Sequence, residues 1–200
     1  MKSFLLSVAM LAAVLGGCGD KGGGGSSPSG GGGGGGGPYP GSGGDGSDGA
    51  GAVYPGGHPI TWLTTDGWTL GQEDRILELV NNERVASSLG ALTMDLLMRQ
   101  TSRGHSVHMT SASHNFFAHV NPEGDGPSQR YVLAGGTGGC GENIAAGYAD
   151  ADAAFAGWMA SPGHYANIHT AGYTKTGTGY SGGTITSVGP YTKVYTQMFQ

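Results

Sequence analysis

Two short stretches hold residues able to do chemistry. Gly141-Glu142-Asn143-Ile144-Ala145-Ala146 sets one carboxylate in a glycine-bounded loop that turns apolar directly after it. Ser161-Pro162-Gly163-His164 sets an imidazole just beyond a proline, and a proline ends a helix arriving from upstream. A carboxylate and an imidazole delivered to one cleft suit proton transfer or ligation of a divalent cation. Cys140 stands two residues before Glu142. A catalytic thiolate needs an adjacent base or positive charge and a group to orient it. No orienting group is visible, so Cys140 reads as an unpaired thiol in a glycine loop.

The elements that must position these groups follow from periodicity. A helix over 150–160 packs Ala151, Phe155, Trp158 and Met159, and carries the chain from the Glu142 loop to Pro162. Upstream, 72–89 reads as a helix with Glu73 and Asp74 in its first turn, where they suit the helix dipole. Ile76, Leu77, Val80 and Arg84 recur along it at helical spacing, and Gly90 ends it. A second helix opens with Asp95 as its cap and lines up Met98, Ser102, His105 and Met109 on one stripe. That stripe makes His105 a buried, hydrogen-bonded histidine. His108, His114 and His169 read as surface residues. Phe116 to Gly124 is a short aromatic segment closed by a turn, and 134–141 is expected to be a mobile glycine loop. Phe116, Phe117, Trp158 and Tyr165 read as core or cleft wall, and Asn143 and Asn167 as residues that fix loop backbone through side-chain bonds. The period then changes: 173–181 and 191–199 are rich in Thr, Tyr and Val and read as antiparallel strands. Helices followed by hairpin strands predict an α+β domain built in layers.

The N-terminal third is different in kind. Met1-Lys2 and the apolar run from Phe4 to Leu15 have the layout of a secretory signal, too short to span a bilayer. The run ends at Leu15-Gly16-Gly17-Cys18, which resembles a bacterial lipobox. That resemblance implies an acylated Cys18 as the first mature residue, anchored to a membrane by several acyl chains. Residues 1–17 are thus expected to be a lipoprotein signal peptide and 18–60 a tether of Gly, Ser, Pro and Asp. The tether lacks the apolar content to offset the entropy of ordering, and reaches about 35 Å as a flexible coil. The folded domain is expected over 61–200. With Cys18 lipidated, Cys140 has no partner, so the core must hold the domain without a disulfide. A net charge of −5 with no basic cluster excludes a nucleic-acid binder. Gly19 in place of an inner-membrane retention aspartate points to the outer membrane of a bacterial cell envelope.

A series of motifs runs through the folded part in order. They are Val80-Asn81-Asn82-Glu83-Arg84; His105-Ser106 with Met109; Phe116-Phe117-Ala118-His119; and Asn121-Pro122-Glu123-Gly124. Gly141-Glu142-Asn143-Ile144-Ala145, Trp158-Met159-Ala160-Ser161-Pro162-Gly163-His164 with Asn167-Ile168, Gly177-Thr178-Gly179 and Tyr195-Thr196-Gln197-Met198-Phe199 complete it. In order and spacing the series resembles the bacterial branch of the CAP superfamily, also called the SCP domain. The resemblance implies a three-layer α-β-α sandwich with a central antiparallel sheet and a cleft lined by two histidines and two glutamates. His119 matches the first histidine, Glu142 one glutamate and His164 the second histidine. Ser161 stands where the second glutamate belongs.

The resemblance implies a binding or interaction module rather than an enzyme. Its cleft of His119, Glu142, Ser161 and His164 would hold a divalent ion such as zinc on His119 and His164, a small hydrophobic or lipid ligand, or an envelope protein. The alternative is a metal-dependent hydrolase with Glu142 as general base. Three further strings carry no function. Gly179-Tyr180-Ser181-Gly182-Gly183 lacks the helix a nucleophile elbow needs. The glycine strings starting at Gly177 and Gly136 lack a strand-turn-helix setting.

Overall fold

The structure is a computed structural model that describes residues 67–200, together with the backbone of three short strands before them, β1 (Leu11–Ala13), β2 (Val53–Tyr54) and β3 (His58–Pro59). The expected acylation site Cys18, and the signal and tether apart from these strands, lie outside the described residues. Among the described residues, no helix is long and apolar enough to cross a membrane.

Helix α1 (Gly67–Ala86) starts upstream of the expected Gln72. The acids taken for a first turn lie inside it, and Glu73 is buried in an ion pair with Arg103 (Nε–Oε1 2.7 Å). Strand β4 (Thr93–Met94) leads into α2 (Leu96–Met109), capped by Asp95, whose carboxylate accepts from the Met98 amide at 2.9 Å. The predicted stripe of Met98, Ser102, His105 and Met109 is fully buried. Helix α4 (Ala151–Met159) is capped by Asp150, which accepts from Ala153 N at 2.9 Å.

Two helices were not legible, α3 (Pro127–Leu133) and α5 (Pro162–Ile168). Both open on proline, whose missing N–H costs nothing in a first turn. Pro162 therefore begins a helix, and His164 sits inside it. Strand β5 (Gly141–Ala146) replaces the expected loop around Glu142. Strands β6 (Lys175–Ile185) and β7 (Tyr191–Phe199) follow, β6 running past Ser181 through an irregularity at Gly182-Gly183.

The sheet order is β1-β5-β7-β6-β4. Strands β1, β5, β7 and β6 pair antiparallel, whereas β4 joins β6 in parallel through two residues, a departure from a purely antiparallel sheet. Alternate residues face opposite layers. Ala145, Tyr195 and Phe199 join Ile76 and Val80 of α1 and Trp158 of α4 in one core. Ile144, Ala146 and Val194 meet Met109 of α2, and Met198 meets Met98 and Tyr131, on the other face. This is the α-β-α sandwich of an α+β domain. With both faces covered, 194–199 is buried throughout instead of alternating.

Candidate functional site

Glu142 lies in the middle layer, pairing with Met198 in β7, and its side chain turns toward α2 and α3. A lone carboxylate there requires partners. Arg130 of α3, fully buried, donates from Nη2 to Oε2. Its Nη1 donates to the carbonyls of His119 (2.6 Å) and Asp125 (2.9 Å). His119 Nδ1 lies 2.9 Å from Oε1. Burial is the largest influence on Glu142 and works to raise its pKa. Arg130 outweighs it, with His105 and His119, and holds the carboxyl at about 2.

An ionised carboxylate only accepts, so His119 donates from Nδ1 and leaves Nε2 as its free lone pair. That Nε2 is buried and has no hydrogen-bond partner in the protein. His105 stands behind the pair, its Nε2 3.0 Å from Ala118 O and 4.0 Å from Glu142 Oε1. Burial, reinforced by Arg130, pushes its pKa down to about 3, so it is neutral at pH 7 and makes no ion pair there. The reading of His105 as a buried, hydrogen-bonded residue holds.

On the other face, α5 is tied to β5 by asparagines. Asn143 donates to His164 O at 3.2 Å, and Asn167 donates to Glu142 O at 3.1 Å and to Asn143 Oδ1 at 2.9 Å. Both act as expected from their types. His164 is buried, and its backbone is thereby fixed one strand position from Glu142. Ser161, the residue before α5, has a buried Oγ without a hydrogen-bond partner in the protein. The structure thus joins His119 to Glu142 directly. It brings His164 to β5 through its backbone. His119, Glu142 and His164 are not a described group that brings one ligand atom each within 4.8 Å of one another.

Cys140 is free and buried. Burial, then the Glu142 charge, pushes its thiol up to about 12, which makes it no nucleophile. Trp158 is core, its Nε1 donating to Ile144 O at 3.2 Å, while Tyr165 is exposed and stacks on His169 at 3.8 Å. Two residues were missed. Arg130 carried no motif, yet a carboxylate predicted in an apolar setting demands a cation, and the chain has only nine Lys and Arg to supply one. His108, expected at the surface, is fully buried because the segment after α2 folds back and sets Phe116 edge-on against it at 5.0 Å. His169 is also mostly covered, with Nε2 3.0 Å from Glu83 Oε1.

Comparisons with known proteins agree with this fold. Two curated proteins of Bacillus subtilis (strain 168) are similar. The uncharacterized membrane protein YlbC is 34% identical over 134 residues, covering 64% of this chain and 34% of that protein. The uncharacterized protein YkwD is 32% identical over 111 residues, covering 54% and 42%. The chain thus spans less than half the length of both relatives. Among solved structures, an extracellular protein containing an SCP domain from Bacillus anthracis str. Ames superposes with a TM-score of 0.56 at 31% identity, covering 66% of this chain and 40% of that one. An outer surface protein of Borrelia burgdorferi, 15% identical, shares the fold with a TM-score of 0.54, covering 63% and 89%. The profile of the cysteine-rich secretory protein family matches residues 77–199, and the chain belongs to that family, CAP.

Proposed function

We propose that this is an extracytoplasmic binding module, anchored to a bacterial membrane through an acylated Cys18, whose CAP-domain cleft is formed by His119, Glu142, Ser161 and His164. The observation that carries this reading is the state of Glu142. Arg130 and His119 occupy its two oxygens, and its pKa sits near 2. A carboxylate so held is a poor acceptor of a proton from water, which counts against the hydrolase alternative. It serves instead to orient His119, as carboxylates orient imidazoles behind metal sites. The buried Nε2 of His119, which has no hydrogen-bond partner in the protein, suits a ligand such as a divalent ion. Such an ion would supply a positive centre for the polar end of a lipid or small hydrophobic ligand. The Bacillus anthracis relative, described as extracellular, favours an extracytoplasmic place.

Native mass spectrometry of the full chain tests the reading. A lipid, or an ion bound in the cleft, is expected on the wild type and is lost in His119→Ala and His164→Ala. Hydrolysis of peptide or ester libraries that disappears in Glu142→Ala would overturn it.

A further inference from the structure

A second cluster lies at the C-terminal end of α2. His108, in the last turn of that helix, is fully buried, and its ring meets that of His114 edge-on at 4.4 Å and 85°. The carboxylate of Glu123 reaches the same point. Its Oε1 is 3.2 Å from His114 Nε2 and 3.7 Å from His108 Nε2. One ligand atom from each of the three residues lies within 4.8 Å of the others. A tetrahedral ion with bonds of about 2.0–2.1 Å sets its ligand atoms roughly 3.4 Å apart. The observed separations bracket that value.

The supports are those of a built site. His114 Nδ1 lies 3.0 Å from Ser113 Oγ and 3.3 Å from Ser111 Oγ, which turns Nε2 toward the cluster. Asn121 grips the turn that carries Glu123, its Oδ1 accepting from Asp125 N at 2.6 Å and its carbonyl from Gly124 N at 3.0 Å. Side-chain exposure rises from 0% at His108 to 25% at His114 and 31% at Glu123. The cluster is closed behind and open in front.

We propose that His108, His114 and Glu123 form a divalent-cation site separate from the His119 cleft. Two imidazoles and one carboxylate favour zinc or a neighbouring transition ion over magnesium or calcium, which take oxygen ligands. The exposed side leaves a coordination position for water or an exogenous donor. A bound ion would staple the end of α2 to the segment 114–123, which also carries His119.

The test titrates zinc, and cobalt(II) as its coloured substitute, into the full chain and its variants. His114→Ala and Glu123→Gln change partly exposed side chains, and unchanged far-ultraviolet circular dichroism verifies that each variant is folded. Each is expected to weaken binding of one ion by ~10-fold or more and to reduce the visible absorption of tetrahedral cobalt, and to abolish it when combined with His119→Ala. His119→Ala alone is expected to retain the cluster's share of that absorption. Absence of binding to the wild type would overturn the proposal. So would affinity unchanged in both cluster variants, or a loss confined to His119→Ala.

Discussion

Glu142 and His105 lie 4.0 Å apart in one buried pocket, yet they resist acid in different pH windows. Glu142 is held at about 2 from an ordinary 4.5, so it contributes stability that is complete above pH 4.5 and lost as pH falls toward 2. His105 is held at about 3 from 6.5, so its neutral form contributes stability that is complete above pH 6.5 and lost as pH falls toward 3. Each contribution is on the order of 3–5 kcal/mol. Urea midpoints measured between pH 7 and 3 should therefore fall from pH 6.5 downward. In His105→Asn the slope between pH 6.5 and 4.5 should shrink, and in Glu142→Gln the slope below pH 4.5 should. Parallel curves for wild type and both variants would show that neither group titrates as described. The same charges explain why Glu142 orients rather than reacts: Arg130 keeps it ionised across that range.

Helix α2 lies unusually close to the sheet, and two glycines of β6 make that approach feasible. A Cβ at Gly177 would overlap backbone atoms of Met98 and Arg99, and one at Gly179 those of Ser102 and Arg103. The proximity lets Ser102 Oγ donate to Gly177 O at 2.9 Å and Ser106 Oγ lie 2.8 Å from Thr196 Oγ1. Gly-Thr-Gly in this strand is thus a packing motif, and its match to a dinucleotide-binding string is accidental. Because backbone cannot move aside as a side chain can, Gly179→Ala should cost about 1–3 kcal/mol or more. Gly182→Ala, with nothing nearer than 3.5 Å to its added carbon, is the control and should lie within about 0.5 kcal/mol of wild type. Equal thermal midpoints for the two variants would contradict this account. The consequence reaches the site, since α2 holds His105 and His108 at the depth the sheet allows.

At the scale of the whole molecule, the layers were legible where periodicity ran long enough. Helices α1, α2 and α4 show their apolar stripes, and β6 and β7 their Thr, Tyr and Val. Helices α3 and α5 span seven residues each, about two turns, too few for a stripe to emerge. Strand β5 looked like a loop because Gly141, Glu142 and Asn143 are poor strand formers. Their polar groups are satisfied only by Arg130, His119 and the backbone of α5, which local sequence does not reveal. The pairing of His119 with Glu142 was legible only through the ordered motif series, and the burial of His108 not at all. Arg84 shows the same limit. It follows the apolar stripe of α1, yet its guanidinium is fully buried and joins the C-terminal end of α1 to that of α5. Nε donates to Gly90 O at 2.8 Å; Nη1 donates to Ile168 O at 2.8 Å and Thr170 O at 3.0 Å; and Nη2 donates to Tyr173 O at 3.0 Å. Burial lowers its pKa, but a guanidinium that fits four carbonyls stays charged and cross-links three connections. Arg84→Met would strand these acceptors at about 1–3 kcal/mol for each one left unsatisfied. Lysine offers a point charge rather than a planar fork, so Arg84→Lys should recover only part of the loss. Urea unfolding of the two variants checks this, and a lysine variant as stable as wild type would mean that charge alone, not the fork of donors, joins the two ends.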